Sequence, residues 1–221
     1  MLKHIRPWIV ALLLTLSSLT LAACGRSEGL DTPTPTSSGP RILFEDDFSD
    51  DTSGWLEAAD AQSSQGYRNG QFFFEVQAPD LIVWDNAGGN FQDFAMEVEA
   101  RQVSGAAENS FGALFRYIDG DNFYRFDLTG DGHYAVLKSE HSEWNTLADW
   151  QAAVDIKPLG EVNLVKIVCR GPRTTFYVNG QELIAVEDDS FERGDVGLFA
   201  STFSEPNVEV EFDDLEIWAI E

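Results

Sequence analysis

Three arginines, Arg101, Arg116 and Arg125, sit within alternating apolar segments, and two tryptophans, Trp144 and Trp150, bracket a further one. Guanidinium groups offer paired donors to oxygen-rich ligands. Indole faces stack on the apolar C–H faces of sugar rings. With Tyr134, and with Trp84 as a third indole, these residues form the donor and aromatic set of a cleft for a polyhydroxylated ligand. A structural alternative uses the same residues: the tryptophans cap a core, and the arginines pair with Glu97, Glu99 and Asp127 across strands.

Hydrolytic chemistry has weaker support. Retaining glycosidases place two carboxyls about 5–5.5 Å apart across the scissile bond. Glu97-Val98-Glu99 and Glu209-Val210-Glu211-Phe212-Asp213 each align carboxylates on one side of a strand, but 38 acidic residues make chance pairs expected. The histidines are His4, His133 and His141, with no pair at metal-ligand spacing and no Gly-x-Ser-x-Gly elbow. No glycine-rich phosphate loop is present. Cys169 ends the apolar run that starts at Val162, which predicts a buried, inert thiol. The 38 acidic residues stand against 14 basic ones, for a net charge of -24. That balance excludes a nucleic-acid partner, which would need clustered Lys and Arg. A hydrophobic content of 43% and an aromatic content of 12% exclude a disordered acidic tail.

The elements that must position these groups read as short strands: Gln71 to Val76, Phe94 to Arg101, Phe111 to Ile118, Phe123 to Leu128 and His133 to Lys138, then Val162 to Arg170, Thr174 to Val178, Glu182 to Val186, Val196 to Ala200 and Val208 to Trp218. Asn69-Gly70, Asp119-Gly120, Gly130-Asp131-Gly132, Gly171-Pro172 and Asn179-Gly180 punctuate them as turns. The expected fold is all-β, a two-sheet antiparallel jelly-roll sandwich. Alternation turns Phe94, Met96, Val98, Ala100, Phe111, Ala113, Phe115, Tyr117, Tyr124, Phe126 and Leu128 inward. Glu97, Glu99, Arg101, Arg116, Arg125 and Asp127 are then expected together on one outer face. The segment from Trp144 to Trp150 reads as a loop or short strand.

The N-terminal segment is an address rather than part of the fold. Lys3 and Arg6 precede an apolar stretch from Trp8 to Leu21, shorter than a comfortable membrane span of about 20 residues. It ends in Leu21-Ala22-Ala23-Cys24, which resembles the lipobox of bacterial lipoproteins. The resemblance implies lipidation of Cys24 and a protein of the bacterial cell envelope, extracytoplasmic and held to the membrane only by its lipid. An ordinary secretory signal with a coincidental cysteine is the alternative. Loss of Lys3 and Arg6 with the signal leaves an even more acidic body, which anionic headgroups repel. The expected organisation is a signal peptide over 1–23, a lipidated cysteine with a Pro/Thr/Ser/Gly tether over 24–40, and a β-sandwich over 41–221.

The segments 111–117, Asn122-Phe123-Tyr124-Arg125-Phe126, Phe176-Tyr177-Val178-Asn179-Gly180 and Gly194-Asp195-Val196-Gly197-Leu198-Phe199, together with Asp46-Asp47-Phe48, Trp55 and the closing Phe212 to Trp218, resemble the concanavalin A-like lectin/glucanase and laminin-G superfamily. The resemblance implies a concave sheet face often used for carbohydrate. It also implies a structural calcium where first and last strands meet, with Asp47, the Gly70 carbonyl and Asp213 as ligands. A solvated acidic edge is the alternative use of those residues. No other cofactor is expected. The superfamily's glucanases carry Glu-x-Asp-x-Glu on one strand, a run this chain lacks. A related module, the 3-keto-disaccharide hydrolase, shares the general strand pattern. The resulting expectation is a surface-anchored, non-catalytic binding module for glycan. Two alternatives stay open: a protein-interaction or envelope-scaffolding lipoprotein partnered by an envelope protein, and a glycoside-active hydrolase of the same fold.

Overall fold

The computed structural model describes residues 39–220, so the signal segment, Cys24 and nearly all of the tether lie outside the described residues. The domain is an all-β sandwich of two antiparallel sheets, as the alternation predicts. The nine-stranded sheet contains β1 (Ile42–Asp46), β2 (Ala58–Ala59), β3 (Ser63–Arg68), β4 (Gln71–Val76), β6 (Phe94–Ser104), β11 (Asn163–Arg170), β12 (Arg173–Val178), β13 (Gln181–Glu187) and β15 (Val208–Ala219). The six-stranded sheet runs in the order β10 (Glu143–Ala152), β9 (His133–Glu140), β8 (Asn122–Thr129), β7 (Ser110–Asp119), β14 (Asp195–Ser201) and β5 (Ile82–Asn86). No helix among the described residues is long and apolar enough to cross a membrane.

Two turns show how local chemistry fixes the pairing. Asn69 and Gly70 have φ of 56° and 77°, and Asn179 and Gly180 have 52° and 82°. Such consecutive positive φ values match the twist of tight hairpins and favour Asn-Gly. They join β3 to β4 and β12 to β13 with no wasted residues. Between the sheets, Phe72, Phe74, Phe94, Met96, Phe126, Val165, Ile167, Phe176 and Phe212 are fully buried. Each such side chain contributes roughly 1.5–3 kcal/mol through removal from water. Cys169 lies in this core, as expected, and burial pushes its thiol pKa up to about 12, which keeps it protonated and unreactive.

The expected single charged face does not form, because alternation assigns sides of a strand but not membership of a sheet. Glu97, Glu99 and Arg101 belong to β6 of the nine-stranded sheet, whereas Arg125 and Asp127 belong to β8 of the other. Arg116 departs further. The pairing of β7 with both β8 and β14 slips after Phe115, and Arg116 takes a φ of 48° at that bulge. The extra residue turns the guanidinium inward and sends Tyr117 to the outer face, the reverse of the expected alternation. Arg116 is 1% exposed and donates to the carbonyls of Gly171 at 2.7 Å, Phe191 at 3.1 Å and Gln92 at 3.3 Å. It staples three loops at one end of the sandwich and is not a surface ligand group.

Arg101 is engaged elsewhere. On the outer face of the nine-stranded sheet it pairs with Glu211, and Arg68 pairs with Glu75, Glu209 and Glu211. This ladder consumes two members of the Glu209-Glu211-Asp213 set. Glu97 instead meets Lys166 at 3.5 Å, and Lys166 lies 4.8 Å from the centre of the Trp218 ring.

Candidate functional site

The face of the six-stranded sheet that looks away from the core carries the one expected arginine–aromatic group that does assemble. Along β8, Phe123, Arg125, Asp127 and Thr129 share that side. Cross-strand register places Leu114 and Leu137 beside Arg125, Gly112 and Ala135 beside Asp127, and Phe199 and Trp84 in line with Gly112. Leu114, Phe123 and Phe199 form a small apolar cluster with Ile82, Trp84 and Tyr117 packed against it. Gly112 is required there: a Cβ would lie 2.1 Å from the Phe126 carbonyl oxygen and 3.4 Å from the Phe199 ring.

Arg125 is held on every side. Its Nε donates to both carboxylate oxygens of Asp127, at 2.9 and 2.8 Å, and its Nη2 donates to Ser110 Oγ at 3.1 Å. The guanidinium carbon lies 4.4 Å from the Phe199 ring centre and 5.6 Å from that of Trp144. Asp127 is fully buried and Arg125 nearly so. The pair therefore forms a rigid, charge-neutral floor with the guanidinium over the Trp144 ring.

The two bracketing tryptophans stay open to solvent at opposite ends of this floor. Trp144 is 55% exposed and rests edge-on against Phe123, with ring centres 5.7 Å apart. Trp150 is 38% exposed and meets Phe203, itself 37% exposed, at 6.1 Å in an edge-to-face corner. The segment expected as a loop or short strand is the edge strand β10, and its pairing with β9 is irregular between Thr146 and Ala148 and again between Ala148 and Gln151. Around Trp150 and Phe203 lies a hollow of about 220 Å³ whose remaining walls are Glu108, Thr129, Asp131 and His133. With the six steps of β8 from Phe123 to Thr129, at about 3.4 Å each, the floor between the two tryptophan neighbourhoods is about 20 Å long.

Tyr134, expected with this group, is not part of it. It points into the core, 5% exposed, packs on Phe126 and donates to the Leu183 carbonyl at 3.4 Å. Burial raises its pKa. Phe203, Glu108 and His133 went unrecognised as neighbours of Trp150. Phe203 is the lone aromatic of the Thr202-Phe203-Ser204-Glu205-Pro206 stretch, a signal that an exposed loop aromatic leaves in a sequence.

The expected calcium ligands lie at the meeting of the first and last strands, beside a hollow of about 490 Å³ lined by Glu45, Asp46, Asp47, Asp50, Asp214 and Glu216 among others. Burial raises the pKa of Asp213, and the charges of Asp214 and Asp47 add to that rise against hydrogen bonds from the Asp214 N–H and the Gln71 amide. The Gln71 amide donates to Asp213 at 3.4 Å, and the Ser49 backbone N–H donates to Asp47 at 3.0 Å. Among the described residues no set of three or more His, Cys, Asp or Glu side chains is arranged to hold a metal ion. Calcium here would draw the rest of its six to eight oxygens from backbone carbonyls such as that of Gly70 and from water.

Solved structures with this fold include the carbohydrate binding module CBM66 from Bacillus subtilis, at 17% identity and a TM-score of 0.52, with 76% of this chain and 92% of that one covered. A Bacillus subtilis protein of unknown function with a galectin-like fold aligns at 10% identity and a TM-score of 0.62 over 80% of this chain and 96% of that one. A chain described with endo-acting O-glycanases of the human gut microbiota aligns at 13% identity and a TM-score of 0.55 over 82% and 100%. At these identities the likeness is one of fold. No curated protein matches the sequence. The family model for the 3-keto-alpha-glucoside-1,2-lyase-like domain matches residues 39–217, and the chain belongs to that family.

Proposed function

We propose that this domain binds carbohydrate, without cleaving it, along the outward face of the six-stranded sheet. The observation that carries the reading is the pair of solvent-open indoles, Trp144 and Trp150, at the two ends of a rigid floor about 20 Å long. A sugar chain laid along it would stack a ring at each end, and the buried Arg125–Asp127 pair would hold the Trp144 end rigid from beneath. Exposed aromatic groups on a preformed surface give affinity at low ordering cost. The carbohydrate-binding module and the glycanase among the structural neighbours are consistent with such a use of the fold. A glycan array probed with residues 39–221 tests it: binding that falls in both Trp144→Ala and Trp150→Ala supports the reading, and an array without any binding overturns it. A hit drawn instead from envelope proteins would favour the scaffolding role.

Family membership favours a second reading, cleavage of a glycoside. Asp127 is tied to Arg125, and the carboxylates that line the hollow beside Trp150, Glu108 and Asp131, are the candidates for acid and base. Incubation with a 3-keto-disaccharide and with array hits separates the two readings: product release that Glu108→Gln and Asp131→Asn abolish would establish chemistry.

The anchor and the metal complete the proposal. Lipidation at Cys24 would hold the domain at the bacterial cell envelope, and acyl-chain labelling lost in Cys24→Ala tests it. Calcium held by Asp47, Asp213 and the Gly70 carbonyl would relieve the repulsion between these carboxylates. Calcium should then raise the melting temperature, a chelator should reverse the effect, and Asp213→Asn should remove it.

A further inference from the structure

The hollow at the Trp150 end has a charge that the rest of the face lacks. Its titratable walls are Glu108, Asp131 and His133, and no Lys or Arg lines it. Among the described residues nothing donates to the exposed Glu108 carboxylate. Asp131 accepts from Thr129 Oγ1 and lies 3.0 Å from His133 Nδ1. Partial burial works against its charge, but hydrogen bonds from Thr129 and His133 outweigh that and hold its pKa below the ordinary carboxylate value. Two carboxylates against one imidazole leave the hollow negative even when His133 is protonated.

The walls are also built rather than incidental. Asn109, fully buried, donates through Nδ2 to the Glu205 carbonyl at 3.0 Å and accepts the Phe203 N–H at 2.9 Å. One side chain thus ties the loop bearing Glu108 to the loop bearing Phe203. Thr129 Oγ1 accepts the His133 N–H at 3.0 Å and fixes the opposite wall. Elsewhere on the face the charge is cancelled, since Arg125 is spent on Asp127. Lys138 on the adjacent strand is directed to Asp188 and Ser190, at 3.0 and 2.7 Å.

We propose that this hollow is a subsite for a sugar bearing an ammonium group, so that the domain ranks amino-glycans above neutral glycans and neutral above anionic ones. The inference rests on the reading of the face as a glycan receiver and names the ligand class it takes. An ammonium in a hollow walled by the carboxylates of Glu108 and Asp131 and by the Trp150 indole finds a favourable environment for a cation. A uronate or sulfate in the same place meets only like charge, in a chain whose net charge is already -24.

The test uses hexamers that differ mainly in charge: chitosan hexamer, cellohexaose, N-acetylated chitohexaose and hexagalacturonate, titrated at low ionic strength and mildly acidic pH. Chitosan hexamer should bind roughly three- to tenfold tighter than the neutral hexamers. Added salt should shrink the margin, and Glu108→Gln with Asp131→Asn should bring chitosan hexamer down to the affinity that the same variant shows for the neutral hexamers. Equal binding of neutral and ammonium-bearing hexamers, or tightest binding of hexagalacturonate, overturns this inference and leaves the glycan-receiving face standing. If none of the four binds and the array is also silent, the parent reading falls, and this one with it.

Discussion

The two outer faces of the sandwich solve the same problem in opposite ways. On the nine-stranded sheet, Arg68, Arg101, Glu75, Glu209 and Glu211 form a charged ladder at the water boundary. On the outer face of the six-stranded sheet the Arg125–Asp127 pair is sunk beneath aromatic rings, and two indoles stay exposed. The ladder is more replaceable, because Arg68 and Arg101 stay partly open to water and both reach the nearly buried Glu211. The buried pair is less so, because each partner has lost its hydration and depends on the other. An exposed indole left over a rigid floor gains nothing from folding, which is why that face draws the functional reading and the ladder does not.

The contrast can be broken in graded steps. Asp127→Ala strands the Arg125 charge under Phe199 and Trp144, and should cost about 3–5 kcal/mol in denaturant unfolding. Asp127→Ala that unfolds like the parent would show the floor to be dispensable. Next comes binding: Trp144→Ala or Trp150→Ala should weaken glycan affinity roughly tenfold in calorimetric titration, with little change in melting temperature. A fall in stability with unchanged affinity would return both indoles to the structural reading that the sequence left open.

A pH effect of intermediate size comes from the end of the sandwich. Desolvation opposes the charge of Asp188, but hydrogen bonds from Tyr124, Ser190 and Lys138 outweigh it and bring its pKa down to about 2. A carboxylate depressed on folding contributes stability that is present above its ordinary range and is lost as pH falls toward about 2. The melting temperature should therefore drop across that window, and more gently in Asp188→Asn. The smallest effect belongs to the ladder. Arg101→Ala leaves the nearly buried Glu211 to Arg68 and should cost about 1 kcal/mol, with glycan affinity unchanged.

Much of this was legible residue by residue. Gln71 to Val76 was predicted with the bounds observed, and the strands containing Phe94, Phe111, Phe123, Cys169 and Phe176 were found within a few residues because apolar alternation is a local property. The candidate site was legible in part. Arg125 and Trp144 come together and Trp150 lies farther along the same sheet, whereas Arg101 lies on the other sheet, Arg116 is turned inward by a bulge, and Tyr134 is in the core. Sheet membership depends on which strands pair at a distance, which periodicity does not encode. The bulge at Arg116 is a backbone event with no glycine to announce it. Tyr134 was the avoidable error, since it alternates with Val136 on the same inward side of β9.

The central claim is that sugar lies on the outward face of the six-stranded sheet between Trp144 and Trp150. The most direct measurement is the movement of individual indole N–H resonances in 15N-labelled protein as the strongest array hit is added. Binding as described shifts the signals of Trp144 and Trp150 and leaves those of Trp55, donating to Asp46 at 2.8 Å, and Trp218, beneath Lys166, in place. Saturable binding that moves Trp55 or Trp218 while Trp144 and Trp150 stay still would contradict it.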